Sequence, residues 1–91
     1  MRFEWDEAKR LANIEKHGID FADVPPLFDR DVFTIEDQRF DYDETRYITF
    51  GFLKFRVMVV AHTDDGEIIR IISARKATQH EEQHYFEEIG Y

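Results

Sequence analysis

The sequence predicts an α+β domain in which helices come first, an antiparallel meander of strands follows, and one helix closes the chain. Three observations carry this expectation. Between Asp6 and Gly18 the residues follow helical spacing with a start and a stop signal. From Val32 the pattern changes to a period of two, rich in β-branched and aromatic residues and interrupted at Asp64-Asp65-Gly66. Thr78, with Glu81 three residues later, then makes a capping box. Ninety-one residues suffice for a single domain over 1–91, which should bury roughly 60 to 65% of the surface its unfolded chain exposes.

Each element has its own local reason. Arg2 to Trp5 alternate polar and aromatic residues, as in a short strand. Asp6 is a suitable N-cap for a helix over about 6–17, with Ala8, Leu11, Ala12 and Glu15 on one face. Gly18 ends it as a left-handed cap. Asp20 is placed to cap a second helix through FADVPPLF, packing Phe21, Val24, Leu27 and Phe28, although Pro25 and Pro26 make it short, distorted or broken. VFTIE reads as a strand and DQRFDYDE as a polar loop. RYITFGFL and FRVMVVAHT are two strands joined tightly around Leu53-Lys54, and the turn at 64–66 leads into EIIRIISA. The final helix is expected over about 79–88.

Composition narrows the function classes. Hydrophobic residues make up 43% and aromatic ones 15%, which is a folded globule rather than a disordered tail. The absence of cysteine excludes disulfides and thiolate chemistry and fits a reducing, cytoplasmic setting. No apolar run approaches the roughly 20 residues of a membrane span, so no membrane partner is expected. A net charge of −8 argues against non-specific nucleic-acid binding, which rests on phosphate neutralisation. The charge is uneven, however. Residues 1–45 carry six Lys or Arg against thirteen acids, and 77–91 none against four, whereas 46–76 carry six (Arg46, Lys54, Arg56, Arg70, Arg75, Lys76) against three. The middle of the chain is a basic island, whose bland explanation is a set of ordinary solvated strand residues.

Several side chains stand out within this frame. Strict alternation puts Arg70, Ile72 and Ala74 on one face of the last strand and Ile69, Ile71 and Ser73 on the other. Arg70 and Arg75, five apart, then share a site only if the chain turns after Ala74. On the preceding strand, Arg56, Met58, Val60 and His62 share a face opposite Val57, Val59 and Ala61. His62 titrates near neutral pH as a free side chain and suits acid or base work. His17, just before a helix-ending glycine, is better explained by the helix dipole. HEEQH (80–84) fits H-E-x-x-H, in which two histidines one turn apart hold zinc and the glutamate activates water. That chemistry needs a third ligand, usually downstream, and only seven residues follow His84. No metal and no other cofactor is expected.

The run IRIISARKAT (69–78), followed by Glu81 and Tyr85, resembles the C-terminal signature of the BrnT toxins, and so does the opening FEWDEAKRLANIEKHGIDF (3–21), with its W-D-x-x-K, Asn13 and K-H-G elements. The resemblance spans essentially the whole chain. It implies a RelE-like fold and a type II toxin that cuts RNA without a metal. It further implies a BrnA-like antitoxin that holds the toxin inactive in a two-plus-two assembly and supplies any DNA binding. Cleavage of this kind needs the 2′-hydroxyl to attack the adjacent phosphate, cations to stabilise the phosphorane, and groups that move protons. Arginine suits the second task because its planar fork gives two hydrogen bonds and stays charged. On this resemblance Arg75 is the chief phosphate binder, helped by Arg56, Arg70 and Lys76, with Arg46 and His62 as further substrate contacts. Glu81 is a candidate base or an orienter of an arginine, its plain alternative being the capping box alone. Tyr85 is a phosphate donor or base-stacking ring, its plain alternative being helix-to-sheet packing. Two competing functions remain: a degenerate toxin that only binds its antitoxin, suggested by the acidity, and a zinc hydrolase acting through HEEQH.

Overall fold

A computed structural model describes residues 1–41 and 43–90. The order is β1 (Arg2–Trp5), α1 (Glu7–His17), two 3-10 helices (Phe21–Asp23 and Pro25–Asp29), β2 (Val32–Glu36), β3 (Tyr47–Leu53), β4 (Arg56–Asp64), β5 (Ile68–Lys76) and α2 (Gln79–Ile89). The expected second helix is therefore two short 3-10 turns. Pro25 and Pro26 provide no N–H for an α-helical ladder, and Pro25 instead opens a new turn. Phe21, Val24 and Leu27 are nonetheless fully buried.

The strands form one five-stranded sheet in the order β1-β5-β4-β3-β2. Strands β2 to β5 are the antiparallel meander the sequence predicts, but β1 adds to β5 in parallel, so the sheet is mixed. The β3–β4 turn is one residue later than expected: Leu53 pairs with Arg56, and Lys54 and Phe55 form the two-residue loop. Both have positive φ, 53° and 67°, as a turn matched to strand twist requires.

Each sheet face carries its own core. One packs Met58 and Val60 of β4 and Ile69, Ile71 and Ala74 of β5 under the 3-10 helices. The other packs Phe50, Val57 and Val59 under Tyr85 and Ala77, with Phe86 and Ile89 against them. Gly51 belongs to the first face, where an added Cβ would lie 2.6 Å from Leu27 Cγ, so the close approach of the 3-10 helix needs glycine.

Helix α1 buries an unexpected face. Leu11 is 55% exposed, Ala8 and Ala12 are exposed too, and Asn13 is buried instead. The cause is the end of β1 at Trp5, beyond which the edge of β5 has no strand beside it. Asn13 fills the gap: its Nδ2 donates to the Ala74 and Ile19 carbonyls (2.9 Å each) and its Oδ1 accepts from Ala74 N (3.1 Å). A side-chain amide so replaces a strand, because a buried peptide group left unpaired is costly. Truncation in Asn13→Ala strands both Ala74 groups and should destabilise the fold by about 2–4 kcal/mol, measured as a lower urea midpoint at unchanged slope.

Candidate active site

Strand β5 does not alternate strictly. Ala61 of β4 pairs with Ser73 but the next residue, His62, pairs with Ile71, so Ile72 is an extra residue on β5. The bulge resets the phase. Arg70 pairs with Thr63 and Arg75 with Val59, which share a face of β4, so both arginines lie on the α2 side of the sheet. Ala74 correspondingly joins Ile69 and Ile71 in the opposite core, and the strand runs on to Lys76 instead of turning after Ala74.

Arg75 meets α2 at its first turn. Its Nη1 and Nη2 donate to Glu81 Oε1 and Oε2 at 2.8 and 2.9 Å, a two-pronged pair with both side chains partly exposed. Glu81 also closes the capping box, accepting from Thr78 N at 2.9 Å while Thr78 Oγ1 accepts from Glu81 N. The Arg75 fork, aided by the Thr78 N–H, holds the Glu81 carboxyl down at about 2 against the opposing effect of burial. The guanidinium pKa is raised in turn, chiefly by that hydrogen bond, while neighbouring Arg39 opposes the rise. Of the five guanidinium N–H groups, Glu81 takes one from each terminal nitrogen and the Lys76 carbonyl lies 3.4 Å from Nη1. The side edge, Nε–H with the second Nη2–H, is left as a pair of parallel donors.

Arg39 is the cation whose charge reaches Arg75, whereas Arg70 and Arg46 meet at Glu44, about 13 Å along the strand from Arg75. Glu44 contacts both Arg70, through a short charged hydrogen bond, and Arg46 Nε at 3.8 Å. Arg39, in the β2–β3 loop, is held by Asp37 through two bonds of 2.8 and 3.0 Å. The Asp37 side chain is 5% exposed, so Arg39 is anchored on a buried carboxylate. The Asp37–Arg39 pair lay hidden in what reads as a polar loop; the only sequence signal is the spacing Asp-x-Arg.

Other sequence candidates fall elsewhere. Arg56, paired with Leu53, and Lys76, paired with Met58, project to the opposite face, away from Arg75. His62 is on that face as well, 2% exposed, with Thr49 Oγ1 2.7 Å from Nε2 and the Thr63 carbonyl 3.1 Å from Nδ1. Burial pushes its pKa below the usual value, with Thr63 and Asp64 opposing. Tyr85 is 2% exposed and donates its hydroxyl to the Asp31 carbonyl at 2.7 Å, so it locks α2 to the start of β2. His80 is exposed, and His84 sits edge-on to Phe33 with centroids 5.4 Å apart. Among the described residues no group of three or more His, Cys, Asp or Glu gathers into a metal site, and the HEEQH glutamate has both oxygens engaged by Arg75.

Comparison with known families gives this arrangement a class. Over residues 5–81 the chain matches a model of the ribonuclease toxins of type II toxin–antitoxin systems. The particular family is BrnT, and the chain belongs to it. No curated protein matches it significantly. An antitoxin partner follows from that class, and no described helix is long and apolar enough to cross a membrane.

The Glu81 carboxyl is lower in the fold than its ordinary 4.5, so its stabilising effect is present above about pH 4.5 and is lost as pH falls toward 2. Because Arg75 is over a third exposed, solvent screening limits the effect to about 1 kcal/mol. Urea midpoints of the wild type and Glu81→Gln should therefore differ at pH 6 and converge near pH 2–3. A gap unchanged across that range would contradict the pairing.

Proposed function

We propose that the chain is a metal-independent endoribonuclease whose reaction is organised by Arg75, with Glu81 as the group that holds it. The observation that carries this reading is the unused side edge of the Arg75 guanidinium, which Glu81 holds in one plane. Two parallel N–H donors match two phosphate oxygens. The 2′-hydroxyl of the substrate gives its proton to water and its oxygen attacks the adjacent phosphorus. As that P–O bond forms, the bond to the 5′-oxygen breaks, the 5′-oxygen takes a proton from water, and a 2′,3′-cyclic phosphate is left. Negative charge grows on the equatorial oxygens in the transition state, and a guanidinium already fixed in place stabilises it with little reorganisation.

Glu81 is a poor general base in this scheme. A carboxyl titrating at about 2 has little appetite for a proton near neutral pH, where an effective base titrates close to the working pH. Its contribution is positional, through Arg75. Arg39 adds a second positive charge near Arg75, and Arg70 and Arg46 extend the basic side chains along the same side of the sheet. The same reading places the toxin in the cytoplasm, held inactive by a BrnA-like antitoxin as a two-plus-two assembly on a RelE-like scaffold.

A second reading draws on one specific observation: Arg75, Arg70, Arg46 and Arg39 each have a carboxylate of this chain beside them. Three carboxylates against four arginines leave these groups largely neutralised, which suits a toxin that has kept only antitoxin binding, and growth on induction without antitoxin separates the two.

Purified, antitoxin-free protein should cleave RNA in the presence of EDTA. Arg75→Ala should lower the rate by about 100-fold or more, and Arg75→Lys should recover little, since an ammonium is not a planar fork. Cleavage abolished by EDTA, or unaffected by Arg75→Ala, would rule the scheme out.

A further inference from the structure

The opposite end of the other sheet face holds a cavity of about 630 Å³ that the proposed reaction does not use. Its walls include Phe3 of β1, Phe28 of the second 3-10 helix, Tyr47 of β3 and His62 of β4, with the carboxylates of Asp29 and Asp64 at its edge. The rings form a continuous lining: Phe3 lies 5.5 Å from Phe28, Phe28 meets His62 edge-on at 5.1 Å, and Tyr47 stacks on His62 at 5.9 Å. His62 is an aromatic wall rather than an open acid or base, because Thr49 and the Thr63 carbonyl occupy its two nitrogens. Thr49 is itself bonded to Thr34 at 2.8 Å, which fixes the floor.

Carboxylates outnumber cations among the residues that line this cavity: against Asp29 and Asp64 stands the α-ammonium of Met1, with no lysine or arginine among the described lining residues. Neither Asp29 nor Asp64 forms an ion pair with any of the described cations. One Asp64 oxygen accepts from Gly66 N at 2.9 Å, which turns the carboxylate but does not neutralise it. Aromatic rings present their negative faces to a cation, and a carboxylate beside them adds a charged partner. An RNA phosphate is repelled by the same set.

We propose that this cavity is a binding site for an organic cation, a guanidinium or primary ammonium on a short apolar stem, with the stem against Phe3 and Phe28 and the charge at Asp29 and Asp64. The site is separate from Arg75 and does not depend on the chain being an active ribonuclease.

Titration with pentylguanidinium, followed by NMR, tests it. Saturable shifts are expected at His62 and Tyr47, with none at the Arg75 side chain. The double variant Asp29→Asn, Asp64→Asn removes both charges while the amide oxygen at position 64 still accepts from Gly66 N, and it should weaken binding by about tenfold or more. Pentylurea, the neutral isostere of pentylguanidinium, should not bind. N-acetyl-arginine methylamide separates the two sources of the cation. Binding of pentylguanidinium alone points to a small free cation, whereas binding of both points to an arginine side chain of a protein partner. Absence of saturable shifts with pentylguanidinium up to about 20 mM, well above the millimolar range of weak ligands, would overturn the proposal. So would equal binding by the double variant or by pentylurea.

Discussion

The site depends on the two-pronged ion pair between Arg75 at the end of β5 and Glu81 in the first turn of α2. One carboxylate performs two tasks there: it completes the capping box that starts the helix and it holds the guanidinium in one plane. Separately, each is a modest surface interaction. Together they make the position of the arginine a consequence of where the helix begins. Tyr85, one turn further on, then fixes the helix to β2 through Asp31, so the arginine inherits a rigid support although it is itself partly exposed.

That geometry would be lost without the irregularity in β5. A strand with a strict period of two sends Arg70 and Arg75 to opposite faces; the extra residue at Ile72 brings them to one. Asn13 stabilises the stretch just past the bulge by bonding both backbone groups of Ala74. The N-terminal helix thus supports the strand that carries Arg75 from its open edge. The result is a protein with two unlike faces. One carries Arg75, Arg70 and their carboxylate partners; the other carries Arg56 and Lys76 and ends in an aromatic cavity edged by two aspartates. A net charge of −8 is compatible with a reaction on a polyanion because charge acts locally, within a screening length of about 8–10 Å.

The elements of the fold were largely legible in the sequence because their signals are local. Asp6 and Gly18 mark α1, Thr78 and Glu81 mark the start of α2, and Asp64 to Gly66 mark the last hairpin. What was illegible depends on long-range partners. The buried face of α1 is chosen by the open edge of β5, which outweighs the weak apolar stripe of Ala8, Leu11 and Ala12. The parallel addition of β1 likewise leaves no trace in the residues of β1. The bulge at Ile72 is equally hidden, since an isoleucine fits a regular strand as well as an irregular one. Among the candidate site residues, Arg75 joins Glu81, while Arg70 and Arg46 meet separately at Glu44. Lys76 became separable only once β5 was seen to run on to Lys76, because a strand neighbour of Arg75 points the other way. Arg56 followed only once its hairpin partner was known to be Leu53. Arg39 was missed because its significance comes from the burial of Asp37, a tertiary property.

The central claim is that Glu81 acts through Arg75 and not on the substrate directly. A double-mutant cycle on kcat/KM with Arg75→Ala and Glu81→Gln tests it most directly. If Glu81 serves only to hold the arginine, Glu81→Gln lowers kcat/KM in the wild type but changes it by less than about twofold once Arg75 is gone. Losses that simply multiply in the double variant would contradict the account and return Glu81 to the role of an independent base.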